Sequence, residues 1–272
     1  MFECVTLASG STGNCVFFRE GKSAFLIDAG ISMKKISSFL SCLDLSLEQL
    51  EGIFITHEHS DHTKALATIS KRCAVPIYVT LPTAREIYQA MFQKNDEDAC
   101  RRFRNNVRII EAGVCYPAGE LGITAFNLPH DSAACVGYSV SDDFGNKLLG
   151  LAADMGHITT KAVNALTGSR NVIIESNHDL EMLKNSSYPP FLKERISSDY
   201  GHLNNSDCSR LAEYLVKNNT QNICLYHLSE ENNLPELAFR TTSDRLKNMD
   251  IIYSDNYNIT VAAKEGITEV AR

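Results

Sequence analysis

The segment that most limits what this chain can be is His57-Glu58-His59-Ser60-Asp61-His62, directly after the apolar run 52–56. Three imidazoles and a carboxylate within six residues are hard to account for as packing or as a solvated loop. They are the composition of a metal or catalytic site. Imidazole suits zinc, iron and nickel, and carboxylate adds hard oxygen. Alternate residues leaving a strand end, His57 and His59, can converge on one ion. Asp61 and His62 fall on the next turn and can face a second. The fold must therefore present strand ends to a common cleft.

The rest of the chain is compatible with such a scaffold. It has 272 residues, 44% of them hydrophobic, enough for one large core, and residues 1–272 are read as a single domain. Apolar runs of β-branched and aromatic residues mark strands at 3–7, 23–28, 52–56, 76–79, 107–110, 122–128, 136–140, 147–153, 171–175, 222–226 and 251–253. Helical patterns occupy 32–42, 62–70, 83–91, 206–218 and 233–247, with Ser206 as an expected N-cap and Ser209 at the capping-box position. Strands alternating with helices in both halves predict two mixed sheets packed face to face with helices outside, an αββα sandwich of the α/β class.

Composition also excludes. A net charge of −7 leaves no general basic footprint for nucleic acid, so a polyanion would need a local patch or bound metal. Nine cysteines, an odd number without a C-x-x-C pair, argue against a disulfide framework or zinc knuckle, and buried packing is their expected role. No basic stretch followed by an apolar one opens the chain, and no apolar run reaches membrane length, so a cytoplasmic location without membrane contact is expected.

Four further candidate ligands or orienting groups end apolar runs: Asp28 in Phe25–Gly30, His130 after Leu128-Pro129, Asp154 in Ala152–Gly156, and His227 in Ile223–His227. With the hexad, their order along the chain resembles the metallo-β-lactamase-fold hydrolases. That resemblance implies His57, His59 and His130 as ligands of a first metal and Asp61, His62 and His227 as ligands of a second. Asp154 would bridge them, and Asp28 would orient the ligand loops. It implies two divalent ions, zinc or manganese, and a metal-held hydroxide nucleophile oriented by Asp61 and Asp154. His59 in place of Glu separates the chain from the redox di-iron branch, and Asp154 in place of Cys separates it from the true β-lactamases.

Three segments narrow the branch: Ser9-Gly10-Ser11-Thr12-Gly13-Asn14, Glu175-Ser176-Asn177-His178-Asp179, and Gly201-His202-Leu203-Asn204-Asn205 ahead of His227-Leu228-Ser229. Together they resemble the WalJ (YycJ) family, with Asn204 standing where serine is usual. The resemblance implies a 5′-to-3′ exonuclease acting on DNA, with a part in DNA repair. Only 72 residues separate Asp154 from His227, which leaves no room for the insertion of the β-CASP nucleases. His202, in a polar loop after a glycine, is the candidate general acid for an alkoxide leaving group. Ser11 and Asn14 are candidates for contact with ligand or substrate.

Other readings stay open. His178 with Asp179 is either a hydrogen-bonded pair stiffening a strand end or part of the site. His157 is a solvated loop residue or a substrate contact. Arg101, Arg102 and Arg104 either complement the C-terminus of a short helix begun by Asp96-Glu97-Asp98 or track phosphates. At the level of function, the alternatives to a nuclease are an ester, thioester or lactone hydrolase of the same fold and a metal-binding regulator without catalysis. No protein partner is legible.

Overall fold

The computed structural model describes residues 1–248 and 257–271. Two seven-stranded sheets form its centre. The first contains β1 (Phe2–Ala8), β2 (Cys15–Glu20), β3 (Ser23–Ile27), β4 (Gly52–Phe54), β5 (Ile77–Thr80), β6 (Val107–Ile110) and, from the far end of the chain, β14 (Glu265–Ala271). Its order is β14-β1-β2-β3-β4-β5-β6, parallel from β3 to β6. The second contains β7 (Cys115–Ala118), β8 (Leu121–Asn127), β9 (Val136–Asp142), β10 (Lys147–Ala152), β11 (Asn171–Glu175), β12 (Asn222–Tyr226) and β13 (Asn258–Val261). It runs in sequence order, parallel from β10 to β13.

The helices are α1 (Met33–Cys42), α2 (Ser60–Thr63), α3 (Leu66–Arg72), α4 (Leu81–Gln93), α5 (Glu97–Asn106), α6 (Thr160–Leu166), α7 (Leu180–Asn185), α8 (Pro190–Ser197), α9 (Asn205–Lys217) and α10 (Pro235–Lys247). Residues of α1, α3, α4 and α5 pack on the outer face of the first sheet, and residues of α6, α9 and α10 on that of the second. This is the αββα sandwich expected from the pattern.

Strand alternation explains why both faces of each sheet can be covered. In β3, Ala24 and Leu26 face the helices while Phe25 and Ile27 face the opposite sheet. In β12, Ile223 and Leu225 face helices while Cys224 and Tyr226 face inward. A strand buried on both faces reads as a continuous apolar run, which is how both appear in the sequence. Two tyrosines tie the sheets together. Tyr138 donates its hydroxyl to the Ile55 carbonyl at 2.6 Å, and Tyr226 donates to the Ala8 carbonyl at 3.0 Å. Their rings are fully buried, so the hydroxyls need those acceptors.

The structure corrects several expectations. Strands β2, β7, β13 and β14 add to those expected, three of them short or rich in polar residues. The predicted helix 62–70 is two helices, α2 and α3. The cap of α9 is Asn204, whose side chain accepts from the Asp207 amide, not Ser206. An extended bridge between His178 and Asn204 holds the cap position two residues earlier than the pattern suggested. The predicted strand 251–253 lies outside the described residues.

Candidate metal centre

The parallel strands β3, β4, β10, β11 and β12 deliver their C-terminal ends to one edge of the sandwich, the usual place for a site in open α/β sheets. Asp28, His57, Asp154 and His227 leave those ends within two or three residues. Asp28, Asp154 and His227 all adopt left-handed backbone, with φ of 62°, 58° and 57°. Such conformations cost about 1–3 kcal/mol each and persist where the surroundings enforce them. Here each turns the chain sharply out of a buried strand.

Ligand-capable atoms of His57, His59 and His130 lie within 4.8 Å of one another. So do those of Asp61, His62 and His227, and those of His57, His62 and Asp154. The two expected trios are thus brought together, with Asp154 next to both. His57 Nε2 lies 3.0 Å from His59 Nδ1, and His59 Nδ1 lies 3.4 Å from His130 Nε2. Nitrogen facing nitrogen is an arrangement that a shared cation stabilises. Asp154 Oδ2 is buried without a hydrogen-bond partner, although His62 Nε2 approaches to 3.2 Å. A buried carboxylate oxygen left without a donor also fits a cation. The donor set of imidazoles and carboxylates suits two divalent transition metals.

Several rings are anchored by the nitrogen that does not face the cluster. His62 Nδ1 is 2.7 Å from Asp28 Oδ2. Asp28 in turn accepts from the Thr56 amide and hydroxyl. His57 Nδ1 meets the Thr56 hydroxyl at 3.0 Å, and His130 Nδ1 meets the Gly201 carbonyl at 3.0 Å. This outer ring of partners fixes ring orientation. Asn14 ties the Ser9–Asn14 turn to the hexad: its side-chain amide lies 3.2 Å from Asp61 Oδ2 and 3.0 Å from His62 Nε2. Ser11 is exposed on the same turn.

Glu175 is the group the sequence reading left without a role. It is completely buried at the end of β11. Oε2 accepts from the backbone amides of Met155 and Leu203 at 2.8 and 3.1 Å, while Oε1 lies 2.7 Å from His202 Nδ1 and 3.2 Å from His227 Nδ1. Burial alone would raise its pKa; the neighbouring His202 and its hydrogen bond outweigh this and hold it at about 2. His202 responds in the opposite sense: burial lowers its pKa, but Glu175 and Asp154 outweigh that and raise it. Its ring stacks on His227 at 5.3 Å and lies 5.1 Å from His130. The signals for Glu175 in the sequence are a carboxylate closing an apolar strand and its place at the head of the Glu175–Asp179 segment.

The three motif segments interlock behind these side chains. Asn177 Nδ2 donates to the His227 carbonyl at 2.9 Å. Asn233 Nδ2 donates to the carbonyls of Ser176 and Asn177, and Ser176 donates to Asn205. His178 does not pair with Asp179. Its ring is buried with neither nitrogen hydrogen-bonded, and Asp179 caps α7 instead. His157 is exposed, 2.9 Å from the Asp199 carbonyl. Arg101 and Arg102 both bind Asp98, at 2.6 and 3.1 Å, while Arg104 lies over the Tyr88 ring. Seven of the nine cysteines are buried.

The beta-lactamase superfamily domain matches residues 24–227. The chain belongs to that superfamily, with the metallo-β-lactamase fold, and to the family that holds the WalJ and YycJ proteins. Exodeoxyribonuclease WalJ of Streptococcus pneumoniae is 35% identical over 250 residues, covering 92% of this chain and 90% of its own length. Exodeoxyribonuclease YycJ of Bacillus anthracis is 32% identical over 89% of this chain and 88% of its own. Among solved structures, the metallo-β-lactamase fold protein YhfI from Bacillus subtilis superposes with a TM-score of 0.70 at 16% identity, covering 98% of this chain and 99% of its own. No helix among the described residues is long and apolar enough to cross a membrane.

Proposed function

We propose that the protein is a metal-dependent phosphodiesterase that degrades DNA from the 5′ end, with a role in DNA repair. The observation that carries the hydrolytic reading is the Glu175–His202 pair set against the His/Asp cluster: a proton donor held at 2.7 Å beside a place for two cations. The DNA substrate rests on what the names of the 35% and 32% identical relatives say of those proteins. The 5′ polarity and the repair role rest on the family resemblance.

His57, His59 and His130 would hold one cation, and Asp61, His62 and His227 the other, with Asp154 shared. Two divalent cations supply positive charge against phosphoryl oxygens and acidify water, to a pKa of about 7 in favourable sites. Asp61 and Asp154 orient the attacking group through their carboxylates. Burial would raise the Asp61 pKa, but hydrogen bonds from His227 and His62 hold it well below the usual range, so it stays ionised. His202, kept protonated by Glu175, donates to the departing sugar oxygen. A positioned acid of this kind contributes about 10²–10⁴-fold.

The test is cleavage of 5′- and 3′-labelled single- and double-stranded DNA and RNA with Mn²⁺ or Zn²⁺. Mononucleotides released from the 5′ end of DNA are expected. Hydrolysis of thioesters or lactones with no cleavage of nucleic acid would overturn the reading. His202→Ala should slow DNA cleavage by about 10²–10⁴-fold and leave a nitrophenyl phosphodiester, whose leaving group needs no proton, far less affected. Equal losses on both would remove His202 from that role.

A further inference from the structure

The outer surface of α4 carries an exposed stripe that the site does not use. Leu81, Arg85, Tyr88 and Phe92 follow at spacings of four, three and four residues, which places them on one face of the helix. The opposite face, with Thr83, Ala84, Ile87 and Met91, is buried. Arg104 of α5 lies over the Tyr88 ring at 5.6 Å, and Tyr88 stacks on Phe92 with ring centres 6.5 Å apart and planes 12° apart. Phe92 is 64% exposed. A groove of about 500 Å³ runs along this stripe, lined among others by Leu81, Arg85, Tyr88, Phe103, Arg104 and Val107.

Two cationic side chains on this surface are left without a counter-charge. In a chain of net charge −7, Arg85 and Arg104 have no carboxylate partner among the described residues, whereas Arg101 and Arg102 are both neutralised by Asp98. Asp96, Glu97 and Asp98 line a neighbouring depression together with Tyr88, Phe92 and Arg104, where Asp96 is paired with Lys71 and Asp98 with Arg101 and Arg102. The near end is tied, through buried Thr83, to a loop beside the metal centre. Thr83 at the start of α4 donates to the Ala134 carbonyl at 2.9 Å, and the Ala133 amide donates to Glu58 Oε1 at 2.7 Å. That loop begins at His130, and Glu58 sits between His57 and His59.

From this continuity and charge we infer that the α4 face is a lane for single-stranded DNA, in which Arg85 and Arg104 hold phosphates and the Arg104–Tyr88–Phe92 stack receives bases. The inference rests on the nuclease reading above. Alternating cations and exposed π-faces grip a strand without reading its sequence, and they need unpaired bases. The lane would hold the strand beside the cleft while its end is processed.

The test is steady-state cleavage of a 20-nucleotide single strand by the metal-loaded protein over a range of NaCl concentrations. Arg85→Ala/Arg104→Ala should raise KM and flatten the plot of log(kcat/KM) against log salt by about 1.4, from about 0.7 per phosphate contact on single strands. Phe92→Ala should raise KM roughly five- to hundredfold with the slope kept, since stacking carries no charge. Gln89→Glu, which places a negative charge in the groove without removing a side chain, should raise KM most at low salt. Folding of each variant is checked by thermal melting. If the wild type cleaves DNA while a folded Arg85→Ala/Arg104→Ala variant keeps its KM and salt slope, the lane is refuted and the nuclease reading stands. If the wild type cleaves no DNA, both fall.

Discussion

Gly30→Ala puts the geometry of the metal centre to a direct test. Gly30 follows Asp28-Ala29 and packs under the hexad, where its amide donates to the Asn14 carbonyl at 2.8 Å. A methyl group there would lie 1.6 Å from the Asp61 carbonyl oxygen, 2.5 Å from its carbon and 2.6 Å from the Asn14 nitrogen. All three are backbone atoms, so no rotamer change relieves the clash. To reach even the 3.0 Å limit of real contacts, the Asp61 carbonyl must retreat by roughly 1.4 Å. That breaks the 2.7 Å hydrogen bond from the Asn14 amide to this carbonyl and carries the Asp61 carboxylate with it. Overpacking costs about 1–3 kcal/mol and an unmade buried hydrogen bond about 1–3 kcal/mol, so a loss of roughly 2–6 kcal/mol is expected. A 1 Å misplacement near the chemistry can cost about 10²-fold in rate. Elemental analysis should find less than the wild-type metal content, and cleavage should fall by about 10²-fold or more. Gly122→Ala is the control. Its methyl would meet only the side-chain tips of Cys115 at 2.9 Å and Ser141 at 3.1 Å, so metal content and activity should hold. A Gly30→Ala protein with full metal content and turnover within about threefold of wild type would refute the packing argument.

Three other outcomes follow from the same contacts. Glu175→Gln removes the charge that sustains protonation of His202 and turns an NH2 toward a donor; the alkaline limb of the kcat–pH profile should move to lower pH, and an unmoved limb would separate Glu175 from the acid. Burial holds the His178 pKa at about 4, below the ordinary 6.5, so the folded state resists protonation and stability drains as pH falls from about 6.5 to 4, by roughly 3 kcal/mol. Urea unfolding at both pH values should show His178→Asn losing less than wild type, and equal losses would exclude His178 as the source. In metal-free protein, burial opposes protonation of His62 and His227, but the surrounding carboxylates outweigh it and raise both, His227 to about 10. Metal entry at pH 7 should therefore release protons in calorimetry and, at a thousandfold excess over Kd, stabilise the fold by about 4 kcal/mol. Heat signals independent of buffer ionisation would contradict this.

The hexad, the acids and histidines closing apolar runs, and the two-faced apolar strands were legible from the chain alone because each is local. A strand buried on both sides must be apolar throughout, and a ligand at its end must be polar, so the boundary between them is written in consecutive residues such as Phe25–Asp28 and Cys224–His227. The convergence of these ends is a property of sheet order and register, which place β3 beside β4 and β11 between β10 and β12. That is why Glu175, an ordinary strand-ending acid in the sequence, becomes the common partner of His202 and His227, 27 and 52 residues away. It is also why Arg101, Arg102 and Arg104, equivalent as text, separate once a helix turns two of them onto Asp98 and the third onto Tyr88. His178 and Asp179 are neighbours in the chain, yet the bridge to Asn204 and the capping of α7 point them to different surroundings. Residue types announce what chemistry is available, but the backbone directions that decide which groups meet come only from the packed sheets.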